Sequence, residues 1–403
     1  MADIIYGFKH PTKFICMYNT KVQALLFQVI FLIITVGGAY FLYYNMQINL
    51  ERQNIQTGFD YLSRESGFAI GESWIHYTPS SSYSQAILVG FINTAVVAVI
   101  GISLATGIGV FIGITALSSN WLVRRLTGVY INFLRNLPVL LQIILWYTIF
   151  TSPRFLPTVR DFSGEDGLEP FLGVIYITRQ GIFIPFFETN TGWLGAIIGL
   201  VLGIITSLLA KAWSRRLMDT TGQQLPILWI SVSIILTTSL SGWLIMGSPV
   251  VISYPEMGRF RLTGGATVTP EFMAVLFGLT IYTSAFIADI VRSGILSVPK
   301  GQIEAGRSLG LREETILTRI ILPQALRIII PPLTSQYLNL TKNSSLAVAV
   351  GYPDLVSISN TTLNQTGQAP EAITIMMIVY LSTSLGTALF MNWYNKQTQL
   401  MER

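Results

Sequence analysis

Polar and charged residues that interrupt the apolar runs of this chain are its candidates for chemistry. Only 11% of its 403 residues are charged, whereas 51% are hydrophobic. The densest polar run, from Asn339 to Ser344, contains Lys342 and lies inside an apolar stretch. A buried ammonium needs an anion or several carbonyl groups. Lys342 is therefore predicted either to bind the carboxylate of a ligand or to pair with a carboxylate or helix end of the protein. The run as a whole either lines a pathway or forms a buried hydrogen-bonded seam.

Two other apolar stretches also carry polar side chains. A charge at the centre of a membrane helix costs about 2.5–3.5 kcal/mol on insertion scales, so its presence needs a reason. Arg135 either faces a pathway or extends to the membrane surface, and Asp289 either contacts a substrate or pairs with Arg135 or Arg292. The candidate substrate pathway from all three stretches comprises Arg135, Gln142, Tyr282, Ser284, Asp289, Asn339, Lys342, Asn343 and Ser344.

Catalytic chemistry and bound metals are not expected on this chain. Cys16 is the only cysteine, so no intrachain disulfide can form. The two histidines, His10 and His76, fall on opposite sides of the membrane in the topology given below and cannot share a metal ion. The phosphate-binding pattern G-x-x-x-x-G-K-[ST] does not occur. We predict no catalytic residue, metal or cofactor here. If the protein uses ATP, the nucleotide and its Mg bind a separate polypeptide.

The elements that must position these residues are long apolar segments. A membrane-spanning helix needs roughly 20 mostly apolar residues, and eight stretches qualify: 22–45, 86–116, 128–150, 193–211, 225–246, 271–291, 325–350 and 371–393. The first is too long for the apolar core of a signal peptide and no cleavage pattern follows it. The chain is therefore predicted to be an all-α integral membrane protein with about eight transmembrane helices. Pro138 should kink the third span, and Pro331-Pro332 should break the seventh.

The distribution of Lys and Arg orients the chain in the membrane. Basic residues predominate in the segments that lie inside when the N-terminus is inside, as the positive-inside rule requires. This orientation places segment 1–21 and the C-terminus in the cytoplasm and the loops 46–85, 151–192 and 247–270 outside. The outside loops carry aromatic residues and charges of both signs, so we expect ordered caps. The net charge of +5 thus reflects topology rather than nucleic-acid binding.

Small residues recur at every fourth position in two of the spans. Such a face lets helix backbones approach closely in the bilayer. It predicts a helix–helix seam within this subunit or an interface with another subunit. The positions are Gly101, Ala105, Gly109 and Gly113 in the second span and Gly195, Gly199 and Gly203 in the fourth.

A polar loop, 297–323, joins the sixth and seventh spans. It reads E-A-x-x-x-x-G from Glu304, and after a gap it ends on I-x-L-P at Pro323. This spacing resembles the "EAA" loop of bacterial ATP-binding-cassette importers, the helix through which a membrane subunit receives force from its ATPase. The resemblance implies that Glu304, Ala305, Gly306, Gly310 and Pro323 couple the chain to an ATPase. Gly306 and Gly310 would then allow the ATPase groove to approach closely.

Further blocks of sequence resemble one family of such importers. They are the segment 58–73, L-R-N-L-P at 134–138, V-P-K-G-Q at 298–302, L-T-K-N-S-S-L at 340–346 and G-Y-P-D-L at 351–355. Together they are similar to the polar-amino-acid importer permeases of bacteria. The long first outside loop and the eight spans look like the general L-amino-acid branch. The resemblance implies a type I importer permease fold in the bacterial inner membrane, forming a single transmembrane permease domain over 22–403.

The same resemblance implies several partners and a mechanism. The partners would be a second, related permease, two cytoplasmic ATPases that bind ATP and Mg, and a periplasmic amino-acid-binding protein received by the outside loops. Transport of L-amino acids would proceed by alternating access. Two alternatives stay open, an ion-coupled secondary transporter and a structural membrane subunit without its own substrate site. The first would need coupling carboxylates near the midplane, and the second leaves the register of Glu304, Gly310 and Pro323 unexplained.

Overall fold

A computed structural model of the chain describes residues 20–53, 57–162, 167–187, 192–221, 226–247, 252–258 and 262–398. The predicted cytoplasmic segment 1–21 lies almost wholly outside these residues. So do short parts of the three predicted outside loops, at 54–56, 163–166, 188–191, 248–251 and 259–261.

Helices account for most of the described chain, and all but a few of them are long. They are α1 (Thr20–Arg52), α2 (Tyr83–Thr115), α3 (Trp121–Arg135), α4 (Val139–Thr151), α5 (Gly192–Thr221), α6 (Ile227–Gly247), α7 (Pro270–Leu296), α8 (Lys300–Ser308), α9 (Glu313–Thr315), α10 (Leu322–Asn343), α11 (Leu355–Thr366) and α12 (Ala369–Thr398). Among these residues, seven helical stretches are long and apolar enough to cross a membrane, and the bent pair α3–α4 makes up to eight. The predicted all-α membrane class is therefore confirmed.

The centre of the bundle is the seam between α2 and α7. A Cβ added at Gly109 would lie 2.6 Å from the Ile287 side chain, and one at Gly113 would lie 2.7 Å from the Ala288 carbonyl oxygen. The glycines thus allow the two backbones to approach, as the four-residue spacing predicted. Helices α4 and α10 pack on the same helix α7, and α12 packs on α10. In the second span, the small-residue face is a seam within the subunit.

Helices α5 and α6 form a hairpin, and among the described residues they pack mainly on each other. A Cβ at Gly195 would overlap the carbonyl oxygen of Gly242, and one at Gly199 would overlap that of Thr238. The flanking segments pair as an antiparallel ribbon. Its strands are β1 (Tyr176–Thr178), β2 (Gly181–Ile184), β3 (Phe186–Phe187), β4 (Ile252–Ser253), β5 (Glu256–Met257), β6 (Leu262–Thr263) and β7 (Ala266–Val268). Strand β2 lies between β1 and β7, and β3 pairs with β4, so the second and third predicted outside loops build one structure.

The third predicted span is two helices rather than one kinked helix. Helices α3 and α4 meet at 103° across the break at 136–138. Pro138 has no N–H to continue the helix of α3, and it is extended at φ −56° and ψ 134°. Gln142 of α4 then donates from Nε2 to the carbonyl oxygens of Leu134 (3.1 Å) and Leu137 (3.3 Å). These two hydrogen bonds replace helical bonds that are lost at the break, and they stabilise the corner between α3 and α4. A proline alone would not specify such a corner.

The prediction that Pro331-Pro332 would break the seventh span is wrong. Helix α10 continues through both prolines, although neither has an N–H to donate to the preceding turn. Prolines are tolerated within membrane helices because neighbouring groups satisfy the freed backbone atoms. The irregular parts are a π-helical turn, Ile316–Ile321, before α10 and a 3₁₀ segment, Ser344–Val350, after it.

The bundle has two distinct ends. Helix α7 follows β7 and precedes α8, and its 27 residues separate these elements by about 40 Å at 1.5 Å per residue. We call them the β end and the α8 end. Helix α2 starts at the β end and runs toward the α8 end, whereas α10 starts at the α8 end. The far end of α12 returns to α10, where Phe390 and Tyr394 line a cavity with Leu322.

Candidate functional site

Helix α8 stands at the α8 end as a short, largely exposed helix. Glu304 and Ala305 are exposed, whereas Gly306 is buried. A Cβ at Gly306 would lie 3.1 Å from Ile316 and 3.1 Å from Ile320, both in the π-helical turn. Gly306 therefore lets α8 pack on its own subunit. The expectation that it offers close access to an ATPase groove is not supported by this position.

A left-handed turn ends α8. Gly310 has φ +72°, a conformation that glycine adopts without steric cost. The Leu311 N–H donates to the Gly306 carbonyl oxygen at 3.1 Å, and the Gly310 N–H donates to that of Arg307 at 2.9 Å, so orphan carbonyls of the helix are satisfied. Leu309 projects at this turn with 79% of its surface exposed. Gly310 thus sets the turn that presents Leu309.

Two polar contacts fix α8 against the segment that follows it. Arg307 donates from Nε to Glu313 Oε1 at 2.7 Å and from Nη2 to Oε2 at 3.2 Å, a bidentate pair across the turn. Gln324 of α10 donates to Gln302 Oε1 at 2.8 Å. Pro323 lies in the first turn of α10. Packed residues and these bonds therefore connect α8 to the start of α10.

Arg135 and Asp289 form an ion pair between α3 and α7. The Arg135 guanidinium also lies 5.1 Å from the centroid of the Phe286 ring, and Tyr282 packs on Phe286 with the ring centroids 4.9 Å apart. The pairing alternative for Asp289 is confirmed. Asp289 is seven residues from the end of α7, about 10 Å from the α8 end.

Ser284 faces α3 rather than the polar run of α10. It is fully buried and shares a 2.7 Å hydrogen bond with the Tyr130 hydroxyl. Asn339 and Lys342, in contrast, are exposed on α10. Of the candidate pathway residues, Ser284 therefore lies apart from the exposed surface that carries Asn339 and Lys342.

The polar run at the end of α10 divides between two faces. Ser344 is buried, and its hydroxyl donates to the Thr341 carbonyl oxygen at 2.7 Å. Asn343 is half-buried. Within the described residues, the Lys342 ammonium has no hydrogen-bond or ion-pair partner. Half of the run is thus a satisfied internal turn, and the other half is an open polar surface.

The exposed half of this polar run, with Asn339 and Lys342, lies near the middle of the bundle. Tyr337 and Thr106 share a hydroxyl hydrogen bond of 2.9 Å, which aligns α10 with α2. Thr106 is nine residues from the end of α2, and Lys342 is five residues beyond Tyr337. At 1.5 Å per residue, Lys342 is about 20 Å from that end, whereas α2 is about 50 Å long. A lysine at this depth needs a polar environment.

Sequence reasoning missed a buried polar cluster at the β end. Asn93 of α2 is fully buried, and its Nδ2 donates to the carbonyl oxygens of Glu72 (2.9 Å) and Pro353 (2.8 Å). The next residue, Thr94, accepts from the Leu355 N–H at 3.1 Å. Asp354 is fully buried and caps α11 by accepting from the Ser357 N–H at 2.8 Å. The adjacent pair Asn93-Thr94 within an apolar span was the available signal.

The carboxyl of Glu72 lies in a segment, 58–82, that crosses the β end. We call this segment the strap. Thr269 donates to Glu72 Oε2, and Glu271 lies in the same cleft of about 420 Å³. Burial raises the pKa of Glu72 to about 7, and the nearby Glu271 charge adds to this rise while the Thr269 hydrogen bond opposes it. Near neutral pH this carboxyl therefore changes its protonation state.

Comparison with known proteins identifies the family. Residues 195–401 match the family of binding-protein-dependent transport system inner membrane components. The general L-amino acid transport system permease protein AapQ of Rhizobium johnstonii is 44% identical over 387 residues, which cover 96% of this chain and 95% of that protein. The chain belongs to the family of binding-protein-dependent transport system inner membrane components.

Two further relatives match the permease over nearly its whole length. The putative amino-acid ABC transporter permease protein YhdX of Escherichia coli is 41% identical, covering 96% of both chains. The glutamate/glutamine/aspartate/asparagine transport system permease protein BztB of Rhodobacter capsulatus is 38% identical, also covering 96% of both chains. Membership confirms the predicted importer permease fold and the prediction that this chain is a membrane subunit rather than an enzyme.

Proposed function

We propose that this permease carries L-amino acids into the cell as one subunit of an ATP-driven importer. Relatives aligned over almost the whole chain are named as permeases for general L-amino acids and for glutamate, glutamine, aspartate and asparagine. Broad specificity fits a site that recognises the groups common to all amino acids, of which the α-carboxylate is one.

The observation that carries this proposal is the construction of α8. A short helix with an exposed acidic residue, Glu304, and an exposed apolar residue, Leu309, is connected by hydrogen bonds to the segment before α10 and to α10 itself. An exposed apolar side chain among polar ones, on a helix held against its own subunit, offers a surface to which a partner protein can bind. The partner is a cytoplasmic ATPase that holds ATP and Mg, and Glu304, Ala305 and Leu309 form the contact. Gly306, Gly310 and Pro323 act indirectly by positioning the helix.

The complete importer contains two such ATPases, a second related permease and a periplasmic binding protein. The α8 end then faces the cytoplasm together with both termini, and the β end faces the periplasm in the bacterial inner membrane. The ribbon and the strap at the β end supply a structured surface for the binding protein. Complementary charge on such a surface speeds encounter and fixes orientation more than it raises affinity.

The pathway runs along the open polar face of α10. Asn339 and Lys342 are exposed there at mid-depth, where lipid would be a poor environment. The second permease covers this face, and the two subunits enclose a polar route between them. Lys342 meets the substrate carboxylate or a carboxylate of the partner. Arg135, Gln142, Asp289 and Ser344 support the route by holding α3, α4, α7 and α10 in place.

Ion-coupled secondary transport is less well supported. It needs an ionisable carboxylate that gains and loses an ion near the midplane. Asp289 is paired with Arg135 and lies about 10 Å from one end of α7.

The test is reconstitution of the chain with its candidate partners in liposomes. An importer hydrolyses ATP faster when the amino-acid-loaded binding protein is added, and it accumulates amino acid without an ion gradient. Uptake that requires a proton or sodium gradient and proceeds without the ATPase would reject the proposal. Lys342→Met should abolish uptake of several amino acids while leaving the complex intact, and Lys396→Met on α12 is the matched control.

A further inference from the structure

A basic cleft opens beside α3 at the α8 end. It has a volume of about 680 Å³, and Arg124, Arg125 and Arg292 line it together with Asn132. No acidic residue is among its lining residues. Within the described part of the chain, the guanidinium groups of Arg125 and Arg292 have no hydrogen bond or ion pair. Three positive charges thus converge on a cleft with no counter-charge of its own.

The cleft lies at the level where a bilayer meets water. Arg292 is four residues from the end of α7, about 6 Å from the α8 end. Arg124 and Arg125 lie in the first turns of α3, shortly after α2 ends at Thr115. Trp121 opens α3 and is largely exposed, and tryptophan is enriched at membrane interfaces. These residues therefore lie at headgroup depth rather than in the hydrocarbon core.

Helix α3 adds an apolar face next to the basic one. Its buried face, at Ile131, packs into the bundle, and its polar face includes Arg125, Gly128 and Asn132. A third face is apolar and exposed, with more than half of each side chain accessible, at Leu122, Leu126, Val129 and Phe133. A helix with arginines on one face and large apolar residues on another lies in the plane of the interface, with its apolar face toward acyl chains.

We infer that this cleft binds the phosphate headgroup of an anionic phospholipid, whose acyl chains lie along the exposed apolar face of α3. One guanidinium group can donate two parallel hydrogen bonds to two oxygens of a phosphate. Basic pockets between membrane helices are suited to anionic headgroups. A soluble anion would satisfy the arginines but leave the apolar face unused. The inference does not depend on the proposed amino-acid substrate, because phospholipid is present at either membrane surface.

The test measures lipid binding to the intact importer complex. The complex is purified in detergent and titrated with phosphatidylglycerol or phosphatidylcholine, and native mass spectrometry gives the affinity of the tightest-bound lipid. The variant R125Q/R292Q should bind phosphatidylglycerol roughly 30-fold more weakly, the change expected for two lost interfacial arginines. The control R154Q/R179Q removes two exposed arginines at the β end and should bind as the parent does.

A second variant blocks the cleft without changing its charge. Gly128 lines the cleft, and a Cβ added there meets nothing within 4 Å, so Gly128→Leu should fold normally and fill the space. It should weaken phosphatidylglycerol binding in the same way as the arginine variant. Excess inorganic phosphate or glutamate should not displace the lipid.

Three results would overturn the inference. One is equal phosphatidylglycerol binding by the parent, R125Q/R292Q and Gly128→Leu, which is also expected if the second permease covers the cleft. Another is equal affinity for phosphatidylcholine and phosphatidylglycerol in the parent. The third is displacement by inorganic phosphate, which would make the cleft a site for soluble anions.

Discussion

The two ends of the bundle are built from different kinds of contact. At the β end, hydrogen bonds join residues far apart in sequence: the Gly58 N–H donates to Glu371 Oε1 at 2.7 Å, Tyr83 to Gln365 at 2.9 Å, and Asn93 to Pro353 at 2.8 Å. At the α8 end, the Arg307–Glu313 pair spans six residues and the Gln324–Gln302 bond spans 22.

This difference suggests a division of mechanical roles. Long-range bonds to buried groups hold the strap, α2, α11 and α12 together, so the β end should open only when much of the fold opens. Local bonds between exposed groups leave α8 as a compact lever whose outer surface is free for a partner. Regions with few buried contacts open at lower free energy than the core. Motion driven by a partner is therefore expected at the α8 end.

The largest effect should come from breaking the long-range bonds at the β end. Asn93→Ala removes a donor shared by two carbonyl oxygens in a fully buried site. Each such loss costs roughly 1–3 kcal/mol, so the two together should destabilise the fold by about 2–6 kcal/mol. Thermal unfolding of the purified protein measures it as a lower Tm.

Asn339→Ala is the matched control for this prediction. Asn339 is an exposed asparagine on α10, so its loss should leave the Tm unchanged while it reduces uptake. Equal Tm values for the two variants would contradict a rigid β end.

A smaller effect on stability should follow from the titration of Glu72 in the strap. The pKa of Glu72 is raised to about 7 in the fold, above its ordinary value of about 4.5, so the folded state holds this proton more tightly than the unfolded state. The contribution of Glu72 to stability is then fully present below pH 4.5 and is lost as the pH rises through 7. Allowing for partial solvent access, the decrease is about 2 kcal/mol.

Unfolding curves at pH 5 and pH 8 measure this dependence. Glu72→Gln should remove most of the difference, and Glu271→Gln should reduce it by removing the neighbouring charge. A parent protein that is as stable at pH 8 as at pH 5 would show that Glu72 does not keep its proton.

The smallest effect on stability is expected at the α8 end. Arg307→Ala breaks an exposed ion pair, and such pairs contribute little to stability, so the Tm should not change measurably. The ratio of amino acid transported to ATP hydrolysed should fall, because α8 is no longer fixed to the segment before α10. The charge swap Arg307→Glu with Glu313→Arg should restore that ratio. A swap that transports no better than Arg307→Ala would assign the role to another contact.

The sequence predicted local features of the fold better than features that depend on residues far apart in the chain. Apolar run length predicted membrane-spanning helices, and four-residue glycine spacing predicted a close helix–helix contact on α2 without naming α7 as the partner. Residue type predicted that Asp289 would either contact substrate or pair with Arg135 or Arg292, and the structure pairs it with Arg135. These properties depend on local pattern or on charge. The angle of 103° at Pro138 accompanies the two hydrogen bonds that Gln142 donates across the break, whereas α10 continues through Pro331 without a break. Neither is encoded in the proline itself.

Residue roles at the two ends were predictable to different degrees. The motif predicted a coupling role for the Glu304 loop, but it did not predict the structural roles of its glycines. The burial of Gly306 depends on contact with Ile316, and the turn at Gly310 depends on its positive φ. The cluster around Asn93 was missed because its partner carbonyl at Pro353 is 260 residues away. Long-range polar contacts leave no periodic signal in a sequence.

The central claim is that an ATPase binds the exposed surface of α8, and one measurement tests it directly. Leu309→Asp places a charge on the apolar residue that the turn at Gly310 presents, and Leu172→Asp does the same at the β end, where 77% of that side chain is exposed. Each variant is purified through a tag on this chain, and the amount of ATPase retained is measured. The account predicts that Leu309→Asp loses most of the ATPase while Leu172→Asp retains the parental amount. Parental retention by Leu309→Asp would contradict it.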